Sequence, residues 1–281
     1  MNKIIKLIII LIIIVILIST TIFLIKKDRN KLPEEVDVTE PEDIITIEAN
    51  EYNSFNSNSI AENKKVIYIF NDFKQRELYN LEQAYEALNE EYKKARFNGI
   101  KDFEKFINEN RKQIKEADVY SYKINNYDEY TEYIILDQFD NYYAFKETSV
   151  LNYSVKLDDF ITFTDEQLFK YKSLSDQEKV VINIQKFVKA INKKSYYYAY
   201  NCLAKGFKDN YFQTQEAFEN YINETWYNGN FEVEFGDFEE EGGLYKYKFK
   251  IINNENPEEN IETTFIMKLN EETNFETSFN K

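Results

Sequence analysis

Residues 102–109 read DFEKFINE, and residues 217–224, which lie 115 positions later, read AFENYINE. The match extends outward from this pair. When residues 64–109 are laid on residues 179–224 without a gap, 15 of the 46 positions are identical. Self-similarity at a fixed offset marks a duplicated unit. Two copies of domain size predict two globular domains in tandem rather than a solenoid.

The front of each copy is predicted to be helical. In the second copy, apolar residues recur at steps of three and four positions, which is typical of a helix with one buried face. The members of this stripe are Val181, Ile184, Val188 and Ile191. Asp176 is predicted to cap this helix, a second helix follows in SYYYAYNCLAKGF (195–207), and Thr214 opens a third.

The rear of each copy alternates between apolar and polar residues, which predicts strands with one buried and one wet face. In the second copy, lysines of 245–251 are predicted to lie opposite glutamates of 231–235, with Gly242–Gly243 as a turn. The predicted fold class is α+β. It consists of an N-terminal transmembrane helix and two duplicated domains, each with three helices packed on a curved four-stranded antiparallel sheet.

The transmembrane prediction rests on an almost unbroken apolar stretch from Leu7 to Ile25. As a helix it would be roughly 28 Å long, which matches the hydrocarbon core of a bilayer. The alternative is a cleaved signal peptide, but no small-residue cleavage pattern follows Ile25. The predicted organisation is a short tail (1–6), a transmembrane helix (7–25), an acidic flexible stalk (26–62), a first domain (63–165), a linker (166–175) and a second domain (176–281).

The distribution of charge along the chain restricts the predicted location of the protein and the partners that it can bind. The chain carries a net charge of −15, and residues 1–31 hold six Lys or Arg and one Asp, so residues 32–281 carry −20. Such a body is repelled by nucleic acid and by anionic lipid. Lys and Arg counts alone would keep the body inside the cell, but the tail before the span is very short. We predict a single-pass protein of the cell membrane with an extracytoplasmic body and no nucleic-acid partner.

The composition offers little catalytic chemistry. Histidine is absent and Cys202 is the only cysteine, so we predict no catalytic residue, no cofactor and no metal site. Cys202 is interpreted as a small buried hydrophobe. Glu239–Glu241 could hold a hard cation such as calcium, but a solvated hairpin tip is favoured. Asp158 and Asp159 could act as paired acid and base, but charge at a strand edge is favoured.

A cluster of tyrosines in the second copy is the predicted interaction surface. Its members are Tyr196, Tyr197, Tyr198 and Tyr200. These residues would lie all round a helix, so they cannot all enter one core. Tyr197 and Tyr198 are predicted to stay partly exposed, either against the other domain or against a partner. Trp226, the only tryptophan, is predicted to fill the corner between helices and sheet.

The stretch VINIQKFVKAINKKSYYYAYNCLAKGFKDNYFQTQEAFENYI (181–222) resembles the helical front of the nuclear transport factor 2-like, or cystatin-like, fold. The resemblance covers residues 63–165 and 176–280, and it implies a cone whose open end can hold a ligand. The anchor, stalk and tandem domains together also resemble the bitopic assembly proteins of Gram-positive conjugation (type IV secretion) systems. That likeness implies a scaffold with other envelope proteins as partners.

Three functional hypotheses follow from these features. The first is a non-enzymatic scaffold or protein-interaction protein, for which filled cones would be expected. The second is a small-ligand-binding or sensory protein that uses a cone pocket with a few convergent polar groups. The third is an isomerase- or dehydratase-type enzyme, which predicts a carboxyl group with a raised pKa deep in one cone and absent from the other copy.

Overall fold

The sequence duplication recurs in the structure at the same offset. A computed structural model of the chain describes residues 53–54 and 60–280, with side chains from residue 63 onward. Helices Leu81–Glu86 and Glu90–Arg96 of the first half correspond, 115 positions later, to Tyr196–Asn201 and Lys205–Tyr211 of the second half. The two copies are therefore structural as well as sequence repeats.

The described elements alternate between a helical and a strand region in each half. The helices are α1 (Ile60–Tyr79), α2 (Leu81–Glu86), α3 (Glu90–Arg96), α4 (Ile100–Glu116), α5 (Asp165–Ser173), α6 (Asp176–Asn192), α7 (Tyr196–Asn201), α8 (Lys205–Tyr211) and α9 (Gln215–Thr225). A 3₁₀ turn follows at Tyr227–Gly229. The strands are β1 (Asn53–Ser54), β2 (Val119–Asn126), β3 (Thr131–Asp137), β4 (Tyr142–Ser149), β5 (Asn152–Lys156), β6 (Phe231–Glu241), β7 (Leu244–Asn253), β8 (Asn260–Leu269) and β9 (Phe275–Phe279).

The second helix predicted in each copy is broken into two short helices, because the break is bonded to the sheet. The amide of Val155 donates to the carbonyl of Ala87 at 2.8 Å, and the amide of Asn89 donates to the carbonyl of Val155 at 2.9 Å. The equivalent bonds of the second half, both 2.8 Å, join Thr277 to Cys202 and Ala204. Each half therefore has four helices before its sheet, and the prediction of three was wrong.

Both sheets are antiparallel meanders. The strand orders are β1-β2-β3-β4-β5 and β6-β7-β8-β9. The predicted cross-strand pairs are present, since Glu234 lies opposite Lys250 with an ion pair of 3.6 Å. Gly242 and Gly243 connect β6 to β7 with φ of 61° and 77°, a left-handed conformation that glycine adopts without a Cβ clash.

One part of the predicted fold class, the transmembrane helix, is corrected by the structure. Within residues 60–280, no helix is long and apolar enough to cross a membrane. The predicted span Leu7–Ile25 lies outside the described residues. What the structure shows is an α+β body with two antiparallel sheets of four long strands. The two-residue β1 extends the first sheet, inside the segment predicted as a stalk, because the edge of β2 offers free backbone groups.

The repeated motif, DFEKFINE (102–109) and AFENYINE (217–224), contributes to the same aromatic cluster in both halves. The ring of Phe97 lies 5.2 Å from that of Phe103 and 5.6 Å from that of Phe106. The equivalent distances in the second half are 5.4 Å for Phe212 to Phe218 and 5.2 Å for Phe212 to Tyr221. In the second half this cluster also reaches the sheet, because the rings of Phe212 and Tyr221 each lie 6.1 Å from that of Phe279.

Trp226 fills the helix–sheet corner of the second half, as predicted. It is 2 % exposed, and its ring lies 4.8 Å from that of Phe279 and 5.7 Å from that of Phe231. With Phe187 and Phe265 packed around it, the interior of this half is occupied by aromatic side chains. The second half is therefore a filled unit.

The two halves share one hydrophobic core within a single compact unit. The ring of Phe160, just after β5, lies 6.4 Å from that of Tyr198 on α7. The segment predicted as a linker, 166–175, is largely the helix α5, which begins with a capping box between Thr164 and Gln167. Ser175 rather than Asp176 caps α6, since its hydroxyl accepts the amide of Glu178.

A buried lysine lies close to the junction of the halves. Lys186 on α6 is 2 % exposed, and its ammonium group lies 4.2 Å from the centre of the Phe163 ring. None of the described residues forms an ion pair with it. Burial lowers the pKa of Lys186 to about 8, because the charged form loses hydration.

We predict that Lys186→Met stabilises the protein at pH 7 by up to about 3 kcal/mol, the free energy that corresponds to the lowered pKa. Because the folded-state pKa lies below the unfolded value, wild type regains stability as pH rises from about 8 to 10.5, and the difference shrinks. Urea unfolding across this pH range measures it. Lys193→Met, at the exposed end of α6, is the control, and an equal effect of both variants would contradict the prediction.

We further predict that Phe103→Ala and Phe218→Ala destabilise the protein by similar amounts, about 3–5 kcal/mol each, because both rings are fully buried in equivalent clusters. Chemical denaturation monitored by circular dichroism measures the loss. Glu104→Ala changes an exposed neighbour and should cost little. A large loss for only one of the two phenylalanines would show that the halves do not share one packing scheme.

Candidate functional site

A cleft of about 760 Å³ lies between the two halves of the described body. The first half contributes α4, the turn between β3 and β4, and residues 157–160. The second half contributes the end of α6, the start of α7 and part of α9. The charged and aromatic side chains that line it include Glu77, Arg96, Lys105, Phe106, Glu109, Phe139, Tyr143, Asp158, Asp159, Phe160, Lys189, Tyr196 and Tyr197.

The adjacent carboxylates Asp158 and Asp159 bind partners in different halves of the body. Asp158 accepts the hydroxyl of Tyr92 at 2.6 Å and the Nε of Arg96 at 3.1 Å, both from α3. Asp159 accepts the ammonium group of Lys189, on α6, at 2.6 Å. Since each carboxylate has its own cationic partner, the pair joins the halves at the cleft wall. This arrangement favours a structural role over joint acid–base chemistry.

The base of the cleft contains a carboxyl group that the sequence analysis missed. Glu77, near the end of α1, is 3 % exposed and lines the cavity. Among the described residues, neither a hydrogen bond nor an ion pair satisfies its carboxyl group. Burial, followed by the nearby charge of Asp137, raises the pKa of Glu77 well above its ordinary value, and the charge of Lys74 offsets this only in part.

The groups around Glu77 are already engaged with their own partners. Asp137 is fully buried, and its carboxylate accepts the amides of Phe139 at 2.8 Å and Asn141 at 2.9 Å. It also accepts the side-chain amide of Asn141 at 2.9 Å. Lys74 donates to the carbonyl of Ala117 at 2.6 Å. Burial, and then the charges of Glu77 and Asp137, raises the pKa of the Tyr143 phenol.

Glu77 has no counterpart in the second half. The residue 115 positions later is Asn192, whose side-chain amide donates to the carbonyl of Phe231 at 3.0 Å. A carboxyl group with a raised pKa in one copy only is the feature that the enzyme hypothesis predicts. The signal in the sequence was the exchange of Glu for Asn between aligned repeats, but its meaning depends on burial, which alignment does not reveal.

The four tyrosines of the predicted interaction surface divide between the core and the cleft. Tyr198 is buried against Phe160, so its predicted exposure was wrong, while Tyr197 is half-buried. Tyr196 and Tyr197 line the cleft, and Tyr196 donates to the side-chain oxygen of Asn223 at 2.7 Å. Tyr200 donates to the carbonyl of Phe212 at 2.9 Å. The structure therefore brings two of the four to the candidate site.

The remaining candidates lie away from the cleft. Cys202 is buried, and burial raises the pKa of its thiol to about 12, which keeps it protonated at neutral pH. Glu239–Glu241 end β6 beside the glycine turn, where Glu241 pairs with Lys246 at 2.6 Å. Among the described residues, no group of three or more acidic or cysteine side chains could hold a metal ion.

Comparisons of the chain with protein-family models, with curated proteins and with solved structures found no match. The resemblance to the nuclear transport factor 2-like fold and to conjugation assembly proteins therefore stays a prediction.

We predict that Glu77→Gln is increasingly stabilising relative to wild type as pH rises above 4.5. The folded-state pKa of Glu77 is raised, so wild type has its full stability below the unfolded value and loses it as pH rises through the folded value. Urea unfolding of both proteins from pH 4 to pH 9 measures the difference.

The control for this prediction is Glu109→Gln, which removes an exposed carboxylate from the same cleft. Its difference from wild type should stay small at every pH. A Glu77→Gln difference that does not change with pH would mean that the Glu77 carboxylate is not penalised by burial.

Proposed function

We propose that this chain is a binding protein without catalysis, and that the cleft between its halves holds a segment of a partner protein. The observation that carries the proposal is the composition of the cleft wall. Both halves contribute to it, and it combines charges of both signs, amides and aromatic rings. This is the mixture found at protein interfaces, where aromatic anchors sit among polar groups.

The lining fits a polypeptide segment better than a compact apolar ligand. Small-molecule pockets are lined mainly by hydrophobic side chains with a few placed polar groups. Here the basic side chains Arg96, Lys105 and Lys189 and several acidic ones face the same space. An extended segment offers backbone amides and carbonyls along its length, so it can use such a polar wall throughout.

The half-buried Tyr197 gives this cleft an aromatic anchor point. It follows the exposed end of α6 and lines the cleft together with residues of the first half. Tyrosine supplies a large contact area at a low cost in conformational entropy. A partner segment that crosses the cleft would therefore contact this ring together with both halves.

The charge of the body restricts the partner. Residues 32–281 carry a net charge of −20, which disfavours acidic partners and accelerates encounter with basic ones. The predicted scaffold role in an envelope complex is compatible with such a partner. The predicted extracytoplasmic location concerns features outside the described residues and stays a prediction.

An isomerase- or dehydratase-type enzyme is the second candidate function, and Glu77 is the observation that favours it. A buried carboxyl group with a raised pKa is suited to proton transfer. Such chemistry also requires a second group to take or give a proton beside it. The closest acidic neighbour, Asp137, already accepts three hydrogen bonds from its own turn, which favours binding over turnover.

Site-specific photo-crosslinking tests the proposed binding function. We expect that p-benzoyl-phenylalanine at position 197 of the full chain, expressed in its native cells, gives a discrete crosslinked product with one protein. The matched control carries the same group at Tyr120, an exposed aromatic residue outside the cleft. Mass spectrometry of the product locates the crosslinked segment in the partner.

Two outcomes decide the test. A product that forms from position 197 and not from position 120 supports the cleft as the binding site. The same products from both positions, or none from position 197, would refute it.

A further inference from the structure

The chemical preference of the cleft is set at its base by Glu77. This carboxyl group is buried and lines the cavity, and no described residue gives it a hydrogen bond or a salt bridge. Buried polar groups in folded proteins almost always have such partners, and a charged one without a partner is strongly disfavoured. The Glu77 carboxyl group is therefore available to a group that enters the cavity.

The neighbours of Glu77 cannot complete it. The ammonium group of Lys74 is bonded to Ala117 at 2.6 Å and lies 3.8 Å from Asp118. Arg111, on the helix packed against this end of α1, donates to the carbonyl of Leu78 at 3.0 Å. Asp137 adds negative charge close by, and its oxygens are occupied by its own turn. A partner for the Glu77 carboxyl group must therefore enter from the cavity.

The charge and the side chains of the site indicate which kind of group binds the Glu77 carboxyl group. The negative charge of Asp137 lies close to the Glu77 carboxyl group, whose oxygens accept hydrogen bonds, so a cation is favoured there. Calcium or magnesium would need several oxygen ligands, and among the described residues no group of three or more acidic side chains could hold a metal ion. An organic cation needs only one acceptor and an aromatic surface, and Tyr143, Phe106 and Phe139 line the same space.

We propose that Glu77 receives an organic cation, the ammonium or guanidinium group of a lysine or arginine side chain in the partner segment. This inference rests on the proposed function and deepens it. The cation donates N–H bonds to the Glu77 carboxylate, and the proton that leaves Glu77 passes to solvent. The acidic body and the buried acceptor then act together, since the first attracts a basic segment and the second fixes one of its side chains.

Proton release gives the site a recognisable pH dependence. Below the pKa of Glu77 in the free protein, each bound cation displaces one proton, so affinity increases with pH. Above that pKa the carboxyl group is already ionised and affinity becomes constant. Lys74, Asp137, Tyr143, Tyr153 and Arg111 are charged or titratable groups around this end of α1, and none of them replaces Glu77 as acceptor.

The test uses small probes on the purified full-length chain, so it does not need the partner. n-Butylammonium and n-butylguanidinium are titrated by calorimetry in two buffers of different ionisation enthalpy, which gives both affinity and proton release. n-Butanol, of similar size and without charge, is the control ligand. We expect saturable binding of the cations and none of butanol.

Two variants identify the acceptor. Glu77→Gln should weaken cation binding about tenfold or more and abolish proton release. Glu109→Gln, which removes an exposed carboxylate from the same cleft, should change affinity by less than about twofold. The carboxyl ¹³C resonance of Glu77 in wild type provides a second measurement that needs no variant, because it should move to the ionised position as n-butylammonium is added.

Each result bears on one proposal. Equal cation binding by wild type and Glu77→Gln, binding of butanol as tight as that of the cations, or no cation binding with an unmoved Glu77 resonance would overturn the Glu77 site. In those cases a crosslink from position 197 would still support the binding cleft. Cation binding at Glu77 without a crosslinked partner would instead retain the site and refute the partner segment.

Discussion

Two backbone hydrogen bonds in each half organise the body. They connect the break between two short helices to the last strand of the sheet, at Val155 in the first half and at Thr277 in the second. Because these amides and carbonyls are bonded to a strand, the helix cannot continue through the break. The aromatic clusters around Phe103 and Phe218 then join the short helix that follows the break to the next helix.

The second level of organisation is the junction between the halves. The segment after β5 inserts Phe160 against Tyr198, while the neighbouring Asp158 and Asp159 bind cationic side chains of different halves. The apolar contact and the ion pair between Asp159 and Lys189 thus hold the walls of the cleft together, while the pair between Asp158 and Arg96 lies within the first half. The cleft exists because the halves meet along this segment and leave a polar space beside it.

One difference between the repeats lies at the cleft. The second half has Asn192 where the first has Glu77, and its amide is satisfied by the carbonyl of Phe231. Its interior is filled around Trp226. In the first half, the Glu77 carboxyl group lies at the cavity, and no described residue gives it a hydrogen bond or an ion pair. The duplicated scaffold therefore supplies one filled unit and one unit with a buried carboxyl group at the cavity.

The sequence by itself determined the duplication, the order of helices before strands, the cross-strand charge pairs and the corner position of Trp226. These features depend on local periodicity and on side-chain type, which a single chain displays directly. Only the tertiary structure decided the split of the second helix, the burial of Tyr198 and the raised pKa of Glu77. Each of these depends on residues distant in sequence: the strand at Val155, the ring of Phe160 and the carboxylate of Asp137. Burial and pairing across such distances set the energy of a polar group, and periodicity does not encode them.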